Sequence, residues 1–182
     1  MENEEYCPCC WTFSAMAAVE SLIKIKTCKL LCLSEQELLD CEFAFQWIKK
    51  NRIVLHSVYL YTGWRGNCKC HRISPPAAKI SGYKYVSCDN EVALQIAVSN
   101  YCEGIITEEG CEGLSLPIQY KELNHFITLV GYDTTPDGRK YWITKNSWGT
   151  KWGDKGFEKL ERDMSSSEGV LEVNMLAFYP IF

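Results

Sequence analysis

The most reactive residue type in this sequence is cysteine, which occurs 11 times beside only three histidines. Cys7 and Cys10 form a C-x-x-C pair, and Cys68, Cys70 and His71 lie together further along the chain. Such thiolate and imidazole groups can bind zinc, although Cys10 and Cys68 are 58 residues apart, a separation that does not fit a short zinc finger. A redox role for the Cys7–Cys10 pair is a second alternative, but no β-α-β pattern surrounds it. Zinc content and a redox-dependent mass shift would decide these alternatives.

Cys10 opens a segment, Cys10 to Thr27, that contains no Gly or Pro and is apolar on most faces. This pattern predicts a largely buried helix with Cys10 at its N-terminal end. In such a helix a cysteine considered alone is more often a small buried apolar residue than a reactive group. His56 and His71 lack any motif context and are most simply surface or hydrogen-bonded polar residues. The chemistry of Cys10 therefore depends on the side chains that the fold brings to it.

Three more helices are expected. Ser34 to Glu37 has the S-x-x-E form of a capping box ahead of two leucines, so a second helix begins there. The pairs Phe43/Trp47 and Ala44/Ile48 have the i, i+4 spacing of a third.

The fourth helix is predicted over Asp89 to Ser99, with Val92, Ile96 and Ala97 on one side. It follows Pro75-Pro76, which interrupts any regular element.

Strands dominate the rest of the chain. His125 to Tyr132 and Tyr141 to Lys145 are β-rich runs, and Pro136-Asp137-Gly138 between them is typical of a turn. The sequence therefore indicates a helical first half and a strand-rich second half, which is an α+β class.

Length and charge limit the classes of function. A chain of 182 residues with 47% hydrophobic residues fits one domain or a pair of small lobes with a real core. The net charge is −4 without a large Lys/Arg cluster, which argues against nucleic acid or an anionic membrane as ligand. No apolar stretch reaches membrane-span length, and the acidic N-terminus does not resemble a signal peptide. The cysteine content predicts an oxidising compartment, and the odd number leaves at least one sulfur outside any disulfide within the chain.

Three separate motifs resemble the papain-like cysteine peptidases. The segment CPCCWTFS, which contains Cys10 and Trp11, resembles the family's nucleophile segment, where a second cysteine precedes the catalytic one by three. The segment LNH, ending at His125, precedes a strand that ends in VGY and resembles the catalytic-histidine segment. The segment YWITKNSWGTKWG, which contains Asn146 and Trp148, is close to a family signature. Further stretches (AAVE, IKI and LSEQELLDC) match in the same order, and several look most like plant members.

The resemblance implies a role for each motif residue. Cys10 is the expected nucleophile, because a helix N-terminus and a protonated His125 both favour the thiolate. His125 is the expected acid and base, and it returns its proton to the leaving amine. Asn146 is expected to accept a hydrogen bond from the other ring nitrogen of His125, with Trp148 screening that bond from water. The backbone N–H of Cys10 is the expected oxyanion donor, and Trp11 is a supporting residue.

The fold and activity follow from the same resemblance. It implies a two-lobe α+β fold in a single domain over residues 1–182, with a helical lobe over about 1–75 and a β-rich lobe over about 76–182. The implied reaction is peptide-bond hydrolysis through an acyl-enzyme thioester, with no metal or organic cofactor. The implied partners are peptide or protein substrates and cystatin-type inhibitors, and the expected state is a monomer. The implied setting is a vacuole, a lysosome or the extracellular space.

The sequence departs from the family pattern at several places. Glu4 stands where the family has a glutamine that helps to hold the oxyanion, and an ionised carboxylate has no proton to donate. The glycine-containing loop expected after Cys41 is missing, and with it the usual disulfide partner of Cys7. The same alignment implies a retained disulfide between Cys41 and Cys68, while Leu171 replaces a late cysteine.

The spacing of the motifs is also shorter than in the family. His125 follows Cys10 by 115 residues, against ~130–150 for the family. The stretch between Asn100 and His125 is abbreviated, and no propeptide or first strand precedes the nucleophile segment. Together these features predict the loss of a core strand and of one wall of the specificity pocket.

Two bulky residues bear on specificity. Phe126, directly after the histidine, and Leu176 near the C-terminus are expected to narrow the pocket that usually sets substrate preference. The departures also leave a second interpretation open, namely a catalytically impaired relative with a peptide-binding or storage role. Peptide cleavage tested with and without the Cys10 thiol separates the two.

Overall fold

The computed structural model describes residues 9–41, 44–69, 76–101, 104–109, 124–163, 173–174 and 176–182. These residues form four helices and a six-stranded antiparallel sheet, which confirms the α+β class. In chain order the elements are α1 (Cys10–Thr27), α2 (Glu35–Cys41), α3 (Ala44–Asn51), β1 (Gly82–Tyr85), α4 (Glu91–Tyr101), β2 (Gly104–Glu109), β3 (Asn124–Thr134), β4 (Lys140–Lys145), β5 (Phe157–Glu161) and β6 (Ala177–Ile181). The expected lobe boundary near residue 75 falls at residues 70–75, outside the described residues, and stays a prediction. None of the helices in these ranges is long and apolar enough to cross a membrane.

Helix α1 has the bounds that the sequence predicted. Eleven of its 18 residues are buried, because it packs against β3 and β6 as well as α2 and α3. It ends where Cys28 turns into the left-handed region (φ 61°) and donates its N–H to the carbonyl of Lys24. Lys24 and Lys26 lie in the last turn, where positive charge stabilises the negative end of the helix dipole.

Helix α2 begins after the predicted cap. The Oγ of Ser34 accepts the backbone N–H of Glu37 at 3.0 Å. The reciprocal bond of a capping box is replaced, because the N–H of Ser34 donates to the carbonyl of Val54. The buried Glu37 carboxylate accepts bonds from Trp47 Nε1 at 3.1 Å and from the N–H of Val54 at 2.9 Å. Burial raises the pKa of Glu37. Glu37 therefore fastens α2 to α3 and to the segment after it.

Helix α4 starts at the cap provided by Asn90, whose Oδ1 accepts the N–H of Ala93 at 2.8 Å. The prediction grouped Val92 and Ile96 with Ala97, but the structure separates them. Ala97 is buried, whereas Val92 and Ile96 are 67% and 55% exposed. The buried side of the helix consists of Ala97 with Leu94 and Val98.

The sheet has the strand order β1-β6-β2-β3-β4-β5. Strands β3 and β4 cover both predicted runs, and the predicted turn joins them. In that turn the N–H of Thr135 donates to the carbonyl of Arg139 at 2.8 Å. Gly138 takes a φ of +89°, a backbone conformation that suits glycine. The abbreviated stretch before His125 was expected to lack a core strand. Strand β2 lies in the first part of that stretch, paired with both β6 and β3, and the expected loss of a core strand stays a prediction.

The core is divided by the sheet. Phe126 of β3 packs in a cluster with α1 and α3, whereas Ile127 and Leu129 pack in a second cluster with α4 and Trp142. This division follows from the alternation of side chains along a strand. Thr128 points to the same side as Phe126, and its Oγ1 donates to the carbonyl of Ser14 on α1, 3.4 Å away. Strand β3 is thus held from both faces, and His125 lies at its start.

Candidate active site

Cys10 is the first residue of α1 and is only 3% exposed. The carbonyl of the preceding residue, Cys9, accepts both the backbone N–H and the Oγ1 hydroxyl of Thr12 at 2.8 Å, which secures the first turn. The helix therefore presents the positive end of its dipole at Cys10, and this favours a thiolate over a thiol.

His125 is the second residue of β3, and its Nε2 lies 2.9 Å from Oδ1 of Asn146. Asn146 directly follows β4 and is 4% exposed. Its Oδ1 also accepts the backbone N–H of Ser147 at 2.7 Å. An amide oxygen only accepts hydrogen bonds, so Nε2 of His125 must carry the proton in this pair. The other ring nitrogen, Nδ1, is then left for proton transfer.

Two tryptophans cover this pair. The ring of Trp148 stacks on His125 with centroids 4.9 Å apart and an interplanar angle of 24°. Trp152 meets Trp148 edge to face at the same distance. Trp148 is itself 42% exposed, so it stands between solvent and the imidazole.

The loop between β4 and β5 carries Asn146 and Trp148 and is fixed by its backbone. The N–H of Asn146 donates to the carbonyl of Gly156 at 2.9 Å, and the N–H of Gly156 donates to that of Trp152 at 2.7 Å. Gly153 has a φ of +52°, and a Cβ there would lie 2.4 Å from the carbonyl oxygen of Phe157. Only glycine fits this position without a shift of the backbone.

One acidic group acts on the site electrostatically. Burial raises the pKa of Glu158 on β5, and a hydrogen bond from Thr144 and then the charge of His125 oppose that rise.

Comparison with known proteins decides the family. The model of the papain family of cysteine proteases matches residues 1–181. The chain belongs to the papain family.

Curated relatives and solved structures agree with this assignment. Vignain of Vigna mungo is 38% identical over 202 residues, which cover 100% of this chain and 56% of vignain. Cysteine endopeptidase RepA of Oryza sativa is 38% identical over 203 residues, which cover 100% of this chain and 54% of the relative. The chain thus spans little more than half the length of these relatives.

Bromelain of Ananas comosus, solved in complex with the E64 inhibitor, superposes with a TM-score of 0.88 at 34% identity, covering 100% of this chain and 93% of bromelain. A cysteine protease of Carica candamarcensis, in complex with E-64, gives a TM-score of 0.85 at 31% identity, with coverages of 100% and 92%. The predicted papain-like fold is confirmed.

The implied disulfide is present. Cys41, the last residue of α2, is bonded to Cys68 with their Cα atoms 4.6 Å apart. This bond removes Cys68 from the set of zinc ligands considered above. Across the described ranges, no group of three or more His, Cys, Asp or Glu residues could hold a metal ion. Cys70 and His71 lie outside those ranges.

Other predicted positions have mixed outcomes. Phe126 and Leu176 are 2% and 5% exposed and lie in the same core cluster as Cys10, with the half-buried Trp11 packed against it. Their effect on specificity stays a prediction. Glu4, together with Cys7 and Leu171, lies outside the described residues.

Sequence reasoning missed a polar centre at Asp40. Its carboxylate accepts bonds from the hydroxyl of Tyr59 at 2.5 Å, the N–H of Gly66 at 2.6 Å and Nε2 of Gln36 at 2.8 Å. Burial and the Asp40 carboxylate both raise the pKa of Tyr59. This centre positions the segment that contains Cys68. Its partners lie up to 26 residues from Asp40 in the sequence, so no local pattern could have revealed them.

Sequence reasoning also missed the surroundings of Cys9. Cys9 is fully buried, and its Sγ lies 3.2 Å from the hydroxyl of Tyr61. The Tyr61 ring packs edge to face on Phe13 of α1, with centroids 5.2 Å apart. The residue before Cys10 is therefore held from a second element of the fold.

Proposed function

We propose that this chain is a cysteine-type endopeptidase that hydrolyses peptide bonds through an acyl-enzyme thioester. The observation that carries the proposal is the 2.9 Å contact between His125 Nε2 and Asn146 Oδ1, combined with Cys10 as the first residue of α1. Membership of the papain family supports it. The roles of the three residues belong to this proposal.

In the first half of the reaction, the Cys10 thiolate attacks the carbonyl carbon of the scissile peptide. The first N–H groups of a helix have no partner within the helix, so the backbone N–H of Cys10 is suited to receive the oxyanion. His125 then donates its Nδ1 proton to the departing amine, and a thioester remains on Cys10.

In the second half, water replaces the amine. Neutral His125 removes a proton from the water as it attacks the thioester carbon, and Cys10 leaves as thiolate. Throughout, Asn146 keeps the imidazole oriented without adding charge. A neutral orienter suits this reaction because the ion pair of Cys10 and His125 already supplies one negative charge.

Cleavage of a pooled fluorogenic peptide library under mildly acidic, reducing conditions tests this function. The Cys10→Ser variant should have no activity, because serine is not ionised there. Cys28→Ser is the matched control, since Cys28 is an exposed free cysteine at the far end of α1. A folded wild-type protein without activity would refute the proposal, and so would activity that survives in Cys10→Ser.

The Glu4→Gln variant tests the oxyanion site in the same assay. Restoring a neutral donor should raise kcat/KM by about 10²–10³, the usual effect of one such donor. An unchanged rate would show that Glu4 does not face the oxyanion.

The partners and location form a further part of the proposal. Because E64 is an inhibitor found in complex with bromelain, we expect it to block Cys10. We also expect a cystatin-type inhibitor to compete with peptide substrates. A monomer in size-exclusion chromatography is the expected state. The Cys41–Cys68 disulfide supports an oxidising setting such as a vacuole, a lysosome or the extracellular space. Fractionation of cells that express the gene would test that setting.

Specificity is the last part of the proposal. Phe126 and Leu176 are expected to narrow the pocket for the second residue before the cleavage site. Rates across peptides that vary this residue should favour small side chains. A preference for large aromatic side chains would refute the expectation.

A further inference from the structure

A cavity of about 410 Å³ lies between α1 and the end of β4, and we call it the α1–β4 cavity. Phe13, Ala17 and Glu20 line it from one face of α1, in keeping with their spacing. Lys145 and Ser147 line it from the sheet side. Asn146 also lines it, whereas Cys10, His125 and Trp148 do not, so the cavity adjoins the candidate active site at Asn146. Its volume is within the range of small-molecule sites.

The sheet side of the α1–β4 cavity presents hydrogen-bond donors for which the described part of the chain supplies no acceptor. Ser147 is 4% exposed, and its Oγ is buried without a hydrogen-bond partner among the described residues. The ammonium group of Lys145 makes no hydrogen bond or ion pair within the same ranges, although its positive charge lowers the pKa of Glu20. Buried polar atoms normally find partners, so a hydroxyl and an ammonium group that line one cavity without partners among the described residues are suited to an anionic group.

The helix side of the cavity presents carboxylates. Glu20 accepts the N–H of Leu33 at 2.7 Å with Oε1, which leaves Oε2 as the oxygen able to accept from a ligand. Glu35 lines the same cavity, with one oxygen 3.4 Å from Nδ1 of His56. Glu20 and Lys145 form no direct ion pair although both line the cavity, so a ligand can lie between them.

We propose that the α1–β4 cavity binds a zwitterionic peptide fragment the size of a dipeptide with apolar side chains. Its carboxylate is received by Lys145 and the hydroxyl of Ser147. Its ammonium group is received by Glu20, and its side chains lie against Phe13 and Ala17. A simple amine would leave Lys145 unmatched, and a simple carboxylate would leave Glu20 unmatched.

Ser147 would connect the bound ligand to the candidate active site. The N–H of Ser147 donates to Oδ1 of Asn146, which in turn contacts His125. Short peptides are also what peptide hydrolysis releases, so a regulatory meaning of this site rests on the proposed function. The binding itself does not, and it is therefore tested in protein that cannot cleave.

The experiment titrates Leu-Leu into the Cys10→Ser variant of the 182-residue chain. A pH of about 7.5 is suitable, because the pKa of Glu20 is raised to about 7 and that of a peptide amine is about 8. Calorimetry gives the affinity, and ¹⁵N NMR gives the location through the amides of Leu33 and Ser147. N-acetyl-Leu-Leu and Leu-Leu amide, each lacking one charge, should bind about tenfold or more weakly.

Variants assign each charge to its partner. In Lys145→Met the preference for the free acid over the amide should disappear, and in Glu20→Gln the preference for the free amine over the acetyl compound should disappear. Lys151→Met, at an exposed lysine in the loop after β4, is the matched control and should keep both preferences.

Three results would overturn the proposal. They are the absence of saturable binding, equal affinity for all three compounds, and shifts at His125 and Trp148 without shifts at Leu33 and Ser147, which would place the dipeptide in the candidate active site. If the wild-type protein proves unable to cleave peptides, the proposed function fails while these binding results stand unchanged.

Discussion

The imidazole of His125 is held by Asn146 through an oxygen that has two hydrogen bonds, one to Nε2 at 2.9 Å and one to the N–H of Ser147 at 2.7 Å. The second bond matters because it fixes the amide plane from the backbone. The orientation of the imidazole is therefore determined by the start of the loop after β4, not by Asn146 alone.

Replacing Asn146 with Ala should lower kcat by about 10–10³-fold with little change in KM, because the imidazole loses its orientation while the peptide contacts remain. The Asn146→Asp variant keeps the acceptor and adds a negative charge, which stabilises protonated His125. Its pH–rate profile should therefore extend to higher pH on the alkaline side. Asn67→Ala, at an exposed loop position, is the control. A purely structural role of Asn146 would lower the activity of both variants without moving the profile.

The Trp148→Ala variant should lower kcat/KM by about tenfold or more, because water would then compete for the hydrogen bond between His125 and Asn146. Trp64→Ala is the matched control, since Trp64 is 73% exposed and lies far from β3 in sequence. Steady-state kinetics on one peptide suffices. Equal losses in the two variants would contradict the shielding role of Trp148.

The sequence predicted those parts of the fold that depend on local pattern. Helix α1 has its predicted bounds because Cys10 to Thr27 contains no Gly or Pro and is apolar on most faces, and Cys28 ends it in the left-handed region. Strands β3 and β4 were found because both are rich in β-formers and are separated by a turn with Pro and Gly. The Cys41–Cys68 disulfide came from the family resemblance and not from spacing.

Strand β6 shows why other parts were not predicted. It contains Pro180, which lacks an N–H and normally argues against an interior strand. The structure accommodates it because β2 pairs with β6 only at Ala177 and Phe178, while Pro180 faces Tyr83 of β1. The pairing that makes this possible is decided by distant strands.

The polar contacts of the site's surroundings were equally beyond local pattern. The capping-box motif correctly placed Ser34, yet Glu37 instead bonds Trp47 and Val54. Likewise, the sequence does not distinguish Glu20 from the other residues of an apolar helix. Its environment arises because the fold brings Leu33 and Lys145 near it. Burial of such groups is a consequence of tertiary packing.

Glu20 predicts a specific dependence of stability on pH. Burial raises its pKa from 4.5 to about 7 in the folded state. Between these values the folded state binds more protons than the unfolded state, so the free energy of unfolding falls as pH rises from about 4.5 to 7. The contribution of Glu20 is at most about 3 kcal/mol.

Urea unfolding at about pH 5 and pH 7.5 measures this contribution. The Glu20→Gln variant should lose part of the dependence, whereas Glu161→Gln, at an exposed position, should keep all of it. The difference between the two variants isolates Glu20 from Glu37 and Glu158, whose pKa values are also raised by burial. Parallel pH curves for the two variants would contradict the raised pKa.

Gly153 allows a test of how the loop after β4 supports the site. In Gly153→Ala the new Cβ would meet the carbonyl oxygen of Phe157 at 2.4 Å, and the backbone would have to move at a φ of +52°. Because this loop carries Asn146 and Trp148, we expect a loss of about 2 kcal/mol or more in the free energy of unfolding, together with reduced kcat. Gly138→Ala is the matched control: its φ is +89° but nothing lies within 4 Å of the added Cβ. It should cost about 1 kcal/mol and leave kcat unchanged, since its turn is at the far end of β4 from Asn146. If both variants lost stability and kcat alike, backbone strain in general, and not the contact with Phe157, would explain the requirement for glycine.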